Sequence, residues 1–368
     1  MNKFDLISRN LEEVLTAEEL KSLIENKEKL VHYIGFEISG LVHLGSGLMT
    51  GMKIADFQKA SVNCQIFLAD WHTWINDKLG GNFADIKRIA VGYFKEAMKV
   101  AVEVSGGNAQ KVEFILGSQL YHQADAYWLT VIDVAKKTTL ARASRSIEVL
   151  GRQMEQGIDL AKLIYPVMQV ADIFYLGVNL AHAGLDQRKA HVIAKDVATQ
   201  LISRPLLNKK KEKIKPIALH HHLLLGLQKP PFWPIPPERW REVKIEMKMS
   251  KSKPETCVFI HDSPADIERK ILKAFCPPKE TNYNPVVDWA VNLILPLTGA
   301  IKIKSQNGWR VYKNSQALIN DYQKEFTHPL DLKEAVSQVL QAVLKPIHSH
   351  FQSGRPKKLL SELRQLKR

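Results

Sequence analysis

Tyr33 to Gln58 read YIGFEISGLVHLGSGLMTGMKIADFQ, and the rest of the chain is interpreted around this segment. Val31 to Phe36 form an apolar run that predicts a β-strand, and Ser39-Gly40 is typical of a turn. His43-Leu44-Gly45-Ser46 then opens a run with the apolar spacing of a buried helix. A helix N-terminus offers unpaired N–H groups and the positive end of a dipole, so this strand–turn–helix suits a bound phosphate.

Two residues at the start of that helix have properties that a nucleotide site needs. Gly45 has no Cβ, so a nucleotide can approach the backbone closely. His43 would present a hydrogen-bond donor to a phosphate whose charge grows during a reaction. A plain strand–turn–helix in which His43 is only a helix cap explains the same residues equally well.

A second phosphate signal lies about two hundred residues downstream. Lys248-Met249-Ser250-Lys251-Ser252 places two lysines and two serines on one short segment. Ammonium groups and hydroxyl donors suit a polyphosphate. Alone, this segment could also be a solvated run of charges.

In the order strand, HLGS and then KMSKS, the two segments resemble the ATP signatures of the class I aminoacyl-tRNA synthetases. Further segments are similar to the tyrosyl-tRNA synthetases of the archaeal and eukaryotic type, and the likeness covers most of the chain. These segments are YIGFEISGLVHLG, LADWHTWIN, YPVMQVADIFYLGV, GLDQRKAH and HPLDLKEAV.

This resemblance implies a tyrosine–tRNA ligase that uses ATP, with Mg²⁺ arriving on the ATP, to charge tRNA(Tyr) with L-tyrosine. The implied catalytic residues are His43, Ser46, Lys248 and Lys251. The implied ATP-binding residues are Gly35, His43, Gly45, Ser46, Lys248, Met249, Ser250, Lys251 and Ser252. Ser46 departs from the family pattern, which has a second histidine there; a hydroxyl still donates to phosphate, so we expect altered strength rather than lost activity.

Tyr165, Gln169 and Asp172 form the strongest small-molecule signal. Their spacing of i, i+4 and i+7 places them on one face of a helix, and Pro166 suits the first turn of that helix. The alternative is a surface helix on which these three residues form a solvent-exposed polar stripe. Such a helix would have an apolar face on the opposite side, but the intervening apolar residues are not confined to one face. Buried without partners, these polar groups would be costly, which favours a binding site.

By the resemblance, Tyr33 and Asp172 would bind the phenolic hydroxyl of tyrosine. Tyr165, Gln169 and Gln187 would surround its α-ammonium group, and Glu37 would line the same pocket. His72 matches a position near the pocket, although a histidine beside a strand end is as often structural.

Composition limits the possible classes of protein. The chain has 368 residues, 45% of them hydrophobic, and a net charge of +14. No apolar run reaches the roughly 20 residues that span a bilayer, and the N-terminus has no apolar signal core. The positive net charge suits a polyanionic partner. Three scattered cysteines indicate a reducing compartment and do not have the spacing of a zinc site, so we expect a cytoplasmic protein without zinc.

Strands alternate with helices up to about residue 220, which predicts a doubly wound parallel sheet of the α/β class, the Rossmann-like catalytic domain of the family. We expect further strands at 64–69, 112–116, 178–182 and 215–220, and one or two helices over 5–30. The proline-rich segment 227–247 predicts an irregular loop. An all-helical pattern follows, so we place one domain at 1–262, with a dimer-interface insertion at about 119–160 and the KMSKS loop at about 227–254, and a second at 263–368.

The resemblance extends to RNA. Arg188 matches a residue near the acceptor-stem site, and Asp331 matches one that reads guanine at the first anticodon position. A helix N-terminal turn explains Asp331 equally well. The basic tail after Arg355 has leucines at helical spacing, which favours a docked or partner helix over a nucleic-acid arm. The family also implies a homodimer through the region around 124–152.

Two alternatives remain. A tryptophanyl-tRNA synthetase shares the fold and both signatures, but Tyr33 with Asp172 speaks against it because an indole N–H needs only one acceptor and a wider slot. An RNA-binding paralogue that kept the fold without the chemistry is the other, and the intact KMSKS segment weighs against it.

Overall fold

A six-stranded sheet organises the N-terminal part of the chain in the computed structural model, which describes residues 1–148, 159–305 and 308–366. Its strands are β1 (Leu11–Leu15), β2 (Val31–Phe36), β3 (Asn63–Leu68), β4 (Val112–Leu116), β5 (Leu180–Gly184) and β6 (Ile217–His221). The order across the sheet is β1-β6-β5-β2-β3-β4, and every pairing is parallel except that of β1 with β6. The chain runs outward in opposite directions from β2 and β5, so their carboxyl ends border the crevice where open α/β sheets bind ligands.

Helices pack on both faces of this sheet. They are α1 (Lys3–Ser8), α2 (Ala17–Glu25), α3 (Leu44–Lys59), α4 (Asp70–Ile75), α5 (Phe83–Asp85), α6 (Val91–Val104), α7 (Gly117–Leu120), α8 (Asp125–Lys136), α9 (Leu140–Glu148), α10 (Leu160–Tyr175), α11 (Arg188–Val197) and α12 (Trp240–Met247). The predicted doubly wound α/β class is therefore confirmed, and the five predicted strands lie within two residues of their expected positions. Positions 149–152 of the predicted helical stretch lie outside the described residues.

The C-terminal part is mostly helical. It contains α13 (Pro264–Leu272), α14 (Pro285–Trp289), α15 (Leu295–Thr298), the hairpin of β7 (Ile301–Ser305) and β8 (Gly308–Tyr312), α16 (Ser315–Gln323), α17 (Pro329–His350) and α18 (Gly354–Gln365). The expectation of helices alone missed this hairpin. Ile301 and Ile303 are buried while Lys302 and Lys304 point outward, so the segment has the period-two alternation of a half-buried strand.

Two other expectations were right only in part. Residues 5–30 contain β1 between two short helices, because Leu11 to Leu15 add an antiparallel edge to β6. The segment 227–247 is irregular only up to Pro236; Trp240 to Met247 form α12, whose Val243 and Met247 are buried against Leu225. Local propensity alone did not reveal either packing partner.

The basic tail is a docked helix. Leu359, Leu360 and Leu363 of α18 are buried, and Arg88 donates to Glu362 at 3.1 Å. A Cβ on Gly92 of α6 would lie 3.1 Å from Leu359 Cδ2, so the glycine gives this leucine the room it occupies. Burial of the leucines confirms the prediction of a docked helix over a nucleic-acid arm.

The sheet region and the C-terminal helices share one hydrophobic core, because a single cluster of buried residues includes side chains from α3, α6, α17 and α18. The domain boundary at 262 therefore stays a prediction. Among the residues that the structure describes, no helix is both long and apolar enough to cross a membrane.

Candidate active site

A cavity of about 340 Å³ opens at the carboxyl ends of β2 and β5. It brings together all the residues predicted for tyrosine, ATP and catalysis except Ser252. They are Tyr33, Gly35, Glu37, His43, Gly45, Ser46, Tyr165, Gln169, Asp172, Gln187, Lys248, Met249, Ser250 and Lys251. Ser252 does not line the cavity, and its backbone N–H and hydroxyl lie against Ser250 Oγ. Residues far apart in the chain thus converge at the predicted crevice.

His43 caps α3 and also faces the cavity. Its Nδ1 accepts from the N–H of Ser46 at 3.4 Å, and the Ser46 hydroxyl lies 3.2 Å from both the N–H and the carbonyl of His43. Burial, followed by the charges of Lys251 and Lys248, lowers the pKa of His43 to about 3. The imidazole is therefore neutral and, with Nδ1 accepting, carries its proton on Nε2. His43 can therefore cap α3 through Nδ1 and donate a hydrogen bond through Nε2 at the same time, so the two interpretations of His43 do not exclude each other.

The segment after the KMSKS loop is fixed to the start of α3. Leu44 donates its N–H to Val258 at 3.1 Å and Ile260 donates to Val42 at 3.1 Å. Lys270 also stabilises this segment, because its buried ammonium donates to the Cys257 carbonyl at 2.9 Å and to the Asp262 carboxylate at 2.7 Å. These bonds keep the two signature segments side by side.

Both lysines of the KMSKS loop point inward. Lys248 Nζ lies 2.5 Å from the Asp186 carboxylate, and Lys251 Nζ lies 2.5 Å from the Ser39 hydroxyl. Burial lowers the pKa of Lys251 to about 8, so most of its ammonium is still charged at neutral pH. Of the two ammonium groups that an anion could bind in the cavity, that of Lys248 is paired with a carboxylate and that of Lys251 contacts only a neutral hydroxyl.

Asp172 is the most perturbed carboxyl in the cavity. It is 1% exposed, and its Oδ1 accepts from the hydroxyls of Tyr121 and Tyr127 at 3.0 Å each. Burial outweighs these two bonds and raises the pKa of Asp172 to about 8. Its Oδ2 is buried and has no hydrogen-bond partner among the described residues. A carboxyl oxygen without a partner in a cavity wall is ready to bind a hydroxyl.

The other predicted tyrosine ligands surround Asp172 in the same cavity. Gln169 Nε2 donates to Gln187 Oε1 at 3.1 Å, and Glu37 accepts from Asn76 in a short hydrogen bond. The ring of His72 packs edge-on against Tyr165 with centroids 4.5 Å apart. Pro166, expected in the first turn of its helix, instead lies inside α10, which begins six residues earlier at Leu160.

The two predicted tRNA contacts lie outside the cavity. Arg188 begins α11 and its Nε lies 2.9 Å from both carboxylate oxygens of Glu13. Asp331 lies in the first turn of α17, after a cap by His328 whose Nδ1 accepts from the N–H of Leu330 at 3.2 Å. Asp331 is partly exposed and has no hydrogen bond or ion pair to any residue in the described ranges. Its carboxylate is therefore accessible from solvent.

Comparisons with known proteins identify the family. The model of the class I tRNA synthetases for tryptophan and tyrosine (W and Y) matches residues 25–345. The tyrosine–tRNA ligase of Thermococcus sibiricus is 56% identical over 95% of this chain and 94% of its own length. The tyrosyl-tRNA synthetase of Pyrococcus horikoshii, solved with L-tyrosine, is similar with a TM-score of 0.94 and 51% identity over 98% of both chains.

The chain belongs to the class I tyrosyl-tRNA synthetases. The tryptophanyl-tRNA synthetase of Plasmodium falciparum shares only the fold, with a TM-score of 0.65, 17% identity and coverage of 96% of this chain and 84% of its own. The predicted resemblance is therefore confirmed at the level of the family.

Sequence reasoning missed the residues that hold this synthetase's site together. Asp186 pairs with Lys248 and precedes Gln187 in the quoted GLDQ segment, so its position was a usable signal. Tyr121 and Tyr127 are fully or almost fully buried and bind Asp172, but they lie on a different part of the chain with no motif around them. Only the packing of α8 beside α10, and the position of Tyr121 directly after α7, identify them.

Proposed function

We propose that this protein activates L-tyrosine with ATP in the cavity and transfers the tyrosyl group to the 3′ end of tRNA(Tyr). One observation carries the choice of amino acid. Asp172 offers a buried, unpaired carboxyl oxygen in a cavity that also contains both ATP signature segments. Tyrosine is the amino acid whose side chain ends in a hydroxyl on an otherwise apolar ring, and it satisfies this oxygen.

The phenolic hydroxyl would lie between Asp172 and Tyr33. Tyr33 is 3% exposed, and burial raises the pKa of its phenol well above its usual range, so it stays a neutral donor and acceptor. Phenylalanine would leave the Asp172 oxygen and the Tyr33 hydroxyl unpaired, which is the physical basis of discrimination. Tyr165, Gln169 and Gln187 would then take the α-ammonium group, with Glu37 as the nearby negative charge.

In the first step the tyrosine carboxylate attacks the α-phosphorus of ATP, and tyrosyl-adenylate and pyrophosphate form. His43 would donate from Nε2 to a phosphate oxygen, while Gly45 and the N-terminus of α3 leave room for the backbone to approach. Ser46 would have to turn its hydroxyl away from the His43 carbonyl to do the same. Lys248 and Lys251 would stabilise the negative charge that grows on the departing pyrophosphate.

Mg²⁺ would enter with ATP. The two carboxylates near the KMSKS lysines already have partners: Asp186 pairs with Lys248, and Glu37 accepts a hydrogen bond from Asn76. A Mg²⁺ ion that arrives bound to the phosphates of ATP does not need them as ligands. Within the described ranges, no group of three or more histidine, cysteine or acidic side chains is arranged to hold a metal ion. The phosphates themselves would supply most of the ligands to the cation.

A homodimer through α8 and its surroundings is part of this proposal. Leu129 and Ile132 lie on one face of α8 and are 60% and 57% exposed. Leu140, Leu160 and Ile164 are exposed on the neighbouring helices. Exposed apolar side chains at helical spacing on one face are typical of a protein–protein interface. The same face belongs to the insertion that the family likeness assigns to the dimer.

The C-terminal helices would bind the anticodon. The chain has a net charge of +14, which suits contacts to an RNA backbone. Phe326 and Leu330 precede Asp331 in the chain and are about half exposed, and an exposed aromatic ring such as that of Phe326 can stack on an unpaired base. Asp331 would accept from the N1–H and N2–H₂ of guanine. A protein with this role would act in the cytoplasm.

Tyrosine-dependent exchange of pyrophosphate into ATP tests the proposed activation step directly. We expect exchange with L-tyrosine, and little with tryptophan or phenylalanine at equal concentration. Exchange with tryptophan instead would point to the tryptophanyl alternative. A protein that binds tRNA but shows no exchange with any amino acid would be an RNA-binding paralogue. Charging of tRNA(Tyr) by the same preparation then tests the second step.

A further inference from the structure

Three buried histidines form a hydrogen-bonded row that ends in the cavity. They lie on adjacent parallel strands: His32 on β2, His182 on β5 and His221 at the end of β6. Nε2 of His32 lies 3.1 Å from Nδ1 of His182, and Nε2 of His182 lies 2.8 Å from Nδ1 of His221. His221 lines the cavity, and its Nε2 has no hydrogen bond to any residue that the structure describes. The row therefore connects the interior of the sheet to the site.

All three imidazoles are neutral. Burial lowers the pKa of His32 to about 3 and that of His221 to about 4, and it lowers the pKa of His182 well below its usual range. A neutral imidazole has one N–H and one lone pair, so a row of three runs in one of two directions. In one direction every ring carries its proton on Nδ1, and in the other every ring carries it on Nε2.

The far end of the row decides between these directions. Nδ1 of His32 is buried and has no hydrogen-bond partner in the described ranges, so an Nδ1–H there would be a donor without an acceptor. The ammonium of Lys53 lies 4.9 Å from the centroid of the Phe57 ring, and that ring packs 4.5 Å from His32. The charge of Lys53 adds to burial in keeping the His32 ring neutral. The Nε2–H form is also the more stable tautomer of a neutral histidine side chain, so the Nε2–H direction is favoured on each count.

We infer that the row fixes His221 as a neutral Nε2–H donor that binds the ribose of ATP. The inference rests on the proposed ATP site. A Cβ placed on Gly184 would lie 2.7 Å from Leu223 Cδ2, 2.8 Å from Asp186 Oδ1 and 3.6 Å from His221 Nε2. A donor and a carboxylate thus face the same space above a glycine. Each hydroxyl of a ribose both donates and accepts, so a vicinal diol matches this pair. His32 and His182 are positioning residues that act through His221.

Nitrogen-15 NMR of the protein labelled at histidine tests the tautomer without any activity measurement. Comparison of spectra of the wild type with those of His221→Leu and His182→Leu assigns the two rings. We expect His221 and His182 to be neutral with the proton on Nε2 at pH 7. A proton on Nδ1 of His221, or a charged His221, would overturn the inference and leave the proposed function untouched.

Kinetics test the role of the donor. His221→Leu should raise the KM for ATP about 3- to 10-fold, the loss of one hydrogen bond, with the KM for tyrosine nearly unchanged. His182→Leu should shift the KM for ATP in the same direction, because the His221 tautomer is no longer fixed. His191→Leu is the matched control: it removes another buried imidazole, 3.0 Å from His220, that does not line the cavity, and the KM for ATP should stay within twofold of the wild type.

Analogues of ATP that lack the 2′- or the 3′-hydroxyl identify the part of the nucleotide involved. In the wild type, the analogue that lacks the contacted hydroxyl should bind more weakly than ATP. In His221→Leu the ratio of the two affinities should approach one. An equal penalty in both proteins for both analogues would show that His221 does not contact the ribose. If the wild type shows no tyrosine-dependent exchange at all, the proposed function fails instead, and the two failures remain distinguishable.

Discussion

At the scale of single residues, burial changes what familiar side chains do. Asp172, His43 and Lys251 all have pKa values shifted toward their neutral forms because they are removed from water. Asp172 is the extreme case, a carboxyl on an apolar helix face that two tyrosine hydroxyls only partly compensate. Such a group is unfavourable for the free protein and useful only when a ligand completes its hydrogen bonds.

Asp172→Ala should reduce discrimination between tyrosine and phenylalanine. Loss of the carboxyl removes the partner of the phenolic hydroxyl, a contribution of about 1–3 kcal/mol that only tyrosine can use. The measurement is the ratio of kcat/KM for the two amino acids in pyrophosphate exchange. Asp70→Asn provides a control, because Asp70 is another buried carboxyl that binds backbone N–H groups outside the cavity. An unchanged ratio in Asp172→Ala would remove Asp172 from the tyrosine site.

The pKa of Asp172 also makes a prediction about stability. The folded-state pKa is about 8 and the ordinary value is 3.8, so between these values the folded protein holds a proton that the unfolded chain has lost. Stability from this group is therefore complete at low pH and is lost as the pH rises toward 8. Relative to the wild type, Asp172→Asn should gain up to about 1.4 kcal/mol in free energy of unfolding for each pH unit between 5 and 7.5.

Urea unfolding of both proteins across this pH range measures that difference. Because every other titrating group is common to the two proteins, their effects cancel in the comparison. Parallel pH dependences would mean that Asp172 is ionised in the folded protein near its ordinary pKa.

At the scale of elements, the site depends on how two separate segments are held together. The start of α3 and the segment after the KMSKS loop exchange backbone hydrogen bonds through Val42, Leu44, Val258 and Ile260. The loop itself is attached by its lysines, through Asp186 and Ser39, and by a backbone hydrogen bond from the Met249 N–H to the Leu224 carbonyl at 2.8 Å. The side-chain contacts can exchange while the backbone bond remains, so the lysines can transfer to phosphate oxygens without unfolding of the loop.

Lys251→Ala should lower the rate of tyrosyl-adenylate formation by about tenfold or more and leave tyrosine affinity almost unchanged. Its charge would act on phosphate oxygens whose negative charge is greatest in the transition state, and its ammonium contacts Ser39 rather than the residues proposed to bind the phenolic hydroxyl of tyrosine. Single-turnover kinetics with tyrosine titration separate the two quantities. Lys253→Ala is the matched control, because Lys253 lies two residues further along and does not line the cavity. A parallel loss of tyrosine affinity in Lys251→Ala would indicate a structural role.

At the scale of the whole molecule, the cavity proposed for activation and the helices proposed for RNA recognition lie in different regions of one continuous core. The cavity lies at the carboxyl ends of β2 and β5, whereas Asp331 lies in the first turn of α17 in the C-terminal part, and α17 packs against α6 of the sheet region. The apolar face of α8 is a third region, open to solvent in the single chain. Each region can therefore be tested by substitutions that leave the other two intact.

Leu129→Asp combined with Ile132→Asp should convert a dimer into a monomer. Two carboxylates in an apolar interface would be desolvated without partners, so the free energy of association should fall by several kcal/mol. Sedimentation velocity at micromolar concentration measures the change. Ile245→Asp places a charge on another exposed apolar position, on α12, and should leave the mass unchanged. A monomeric wild type under the same conditions would refute the homodimer.

Asp331→Ala should weaken charging of tRNA that carries guanine at the first anticodon position and leave tyrosyl-adenylate formation intact. Loss of the hydrogen bonds to one base edge corresponds to about 1–3 kcal/mol. The design compares wild type and Asp331→Ala on tRNA with the native base and with that base replaced. Glu334→Ala, which removes an exposed carboxylate one turn further along α17, is the control. Losses that simply add would mean that Asp331 is only part of the helix cap.

The α/β class, the β2–α3 signature and the order of the two ATP segments could be predicted from the residues alone, because these depend on local periodicity and on short motifs. The sequence also predicted that Tyr165, Gln169 and Asp172 share one face, which follows from helix geometry alone. The tertiary structure alone decided how Asp172 is held by Tyr121 and Tyr127, how Lys248 pairs with Asp186, and that β1 joins the sheet. Each of these is a contact between segments distant in the chain, and burial by those segments sets the pKa values. No local pattern contains that information.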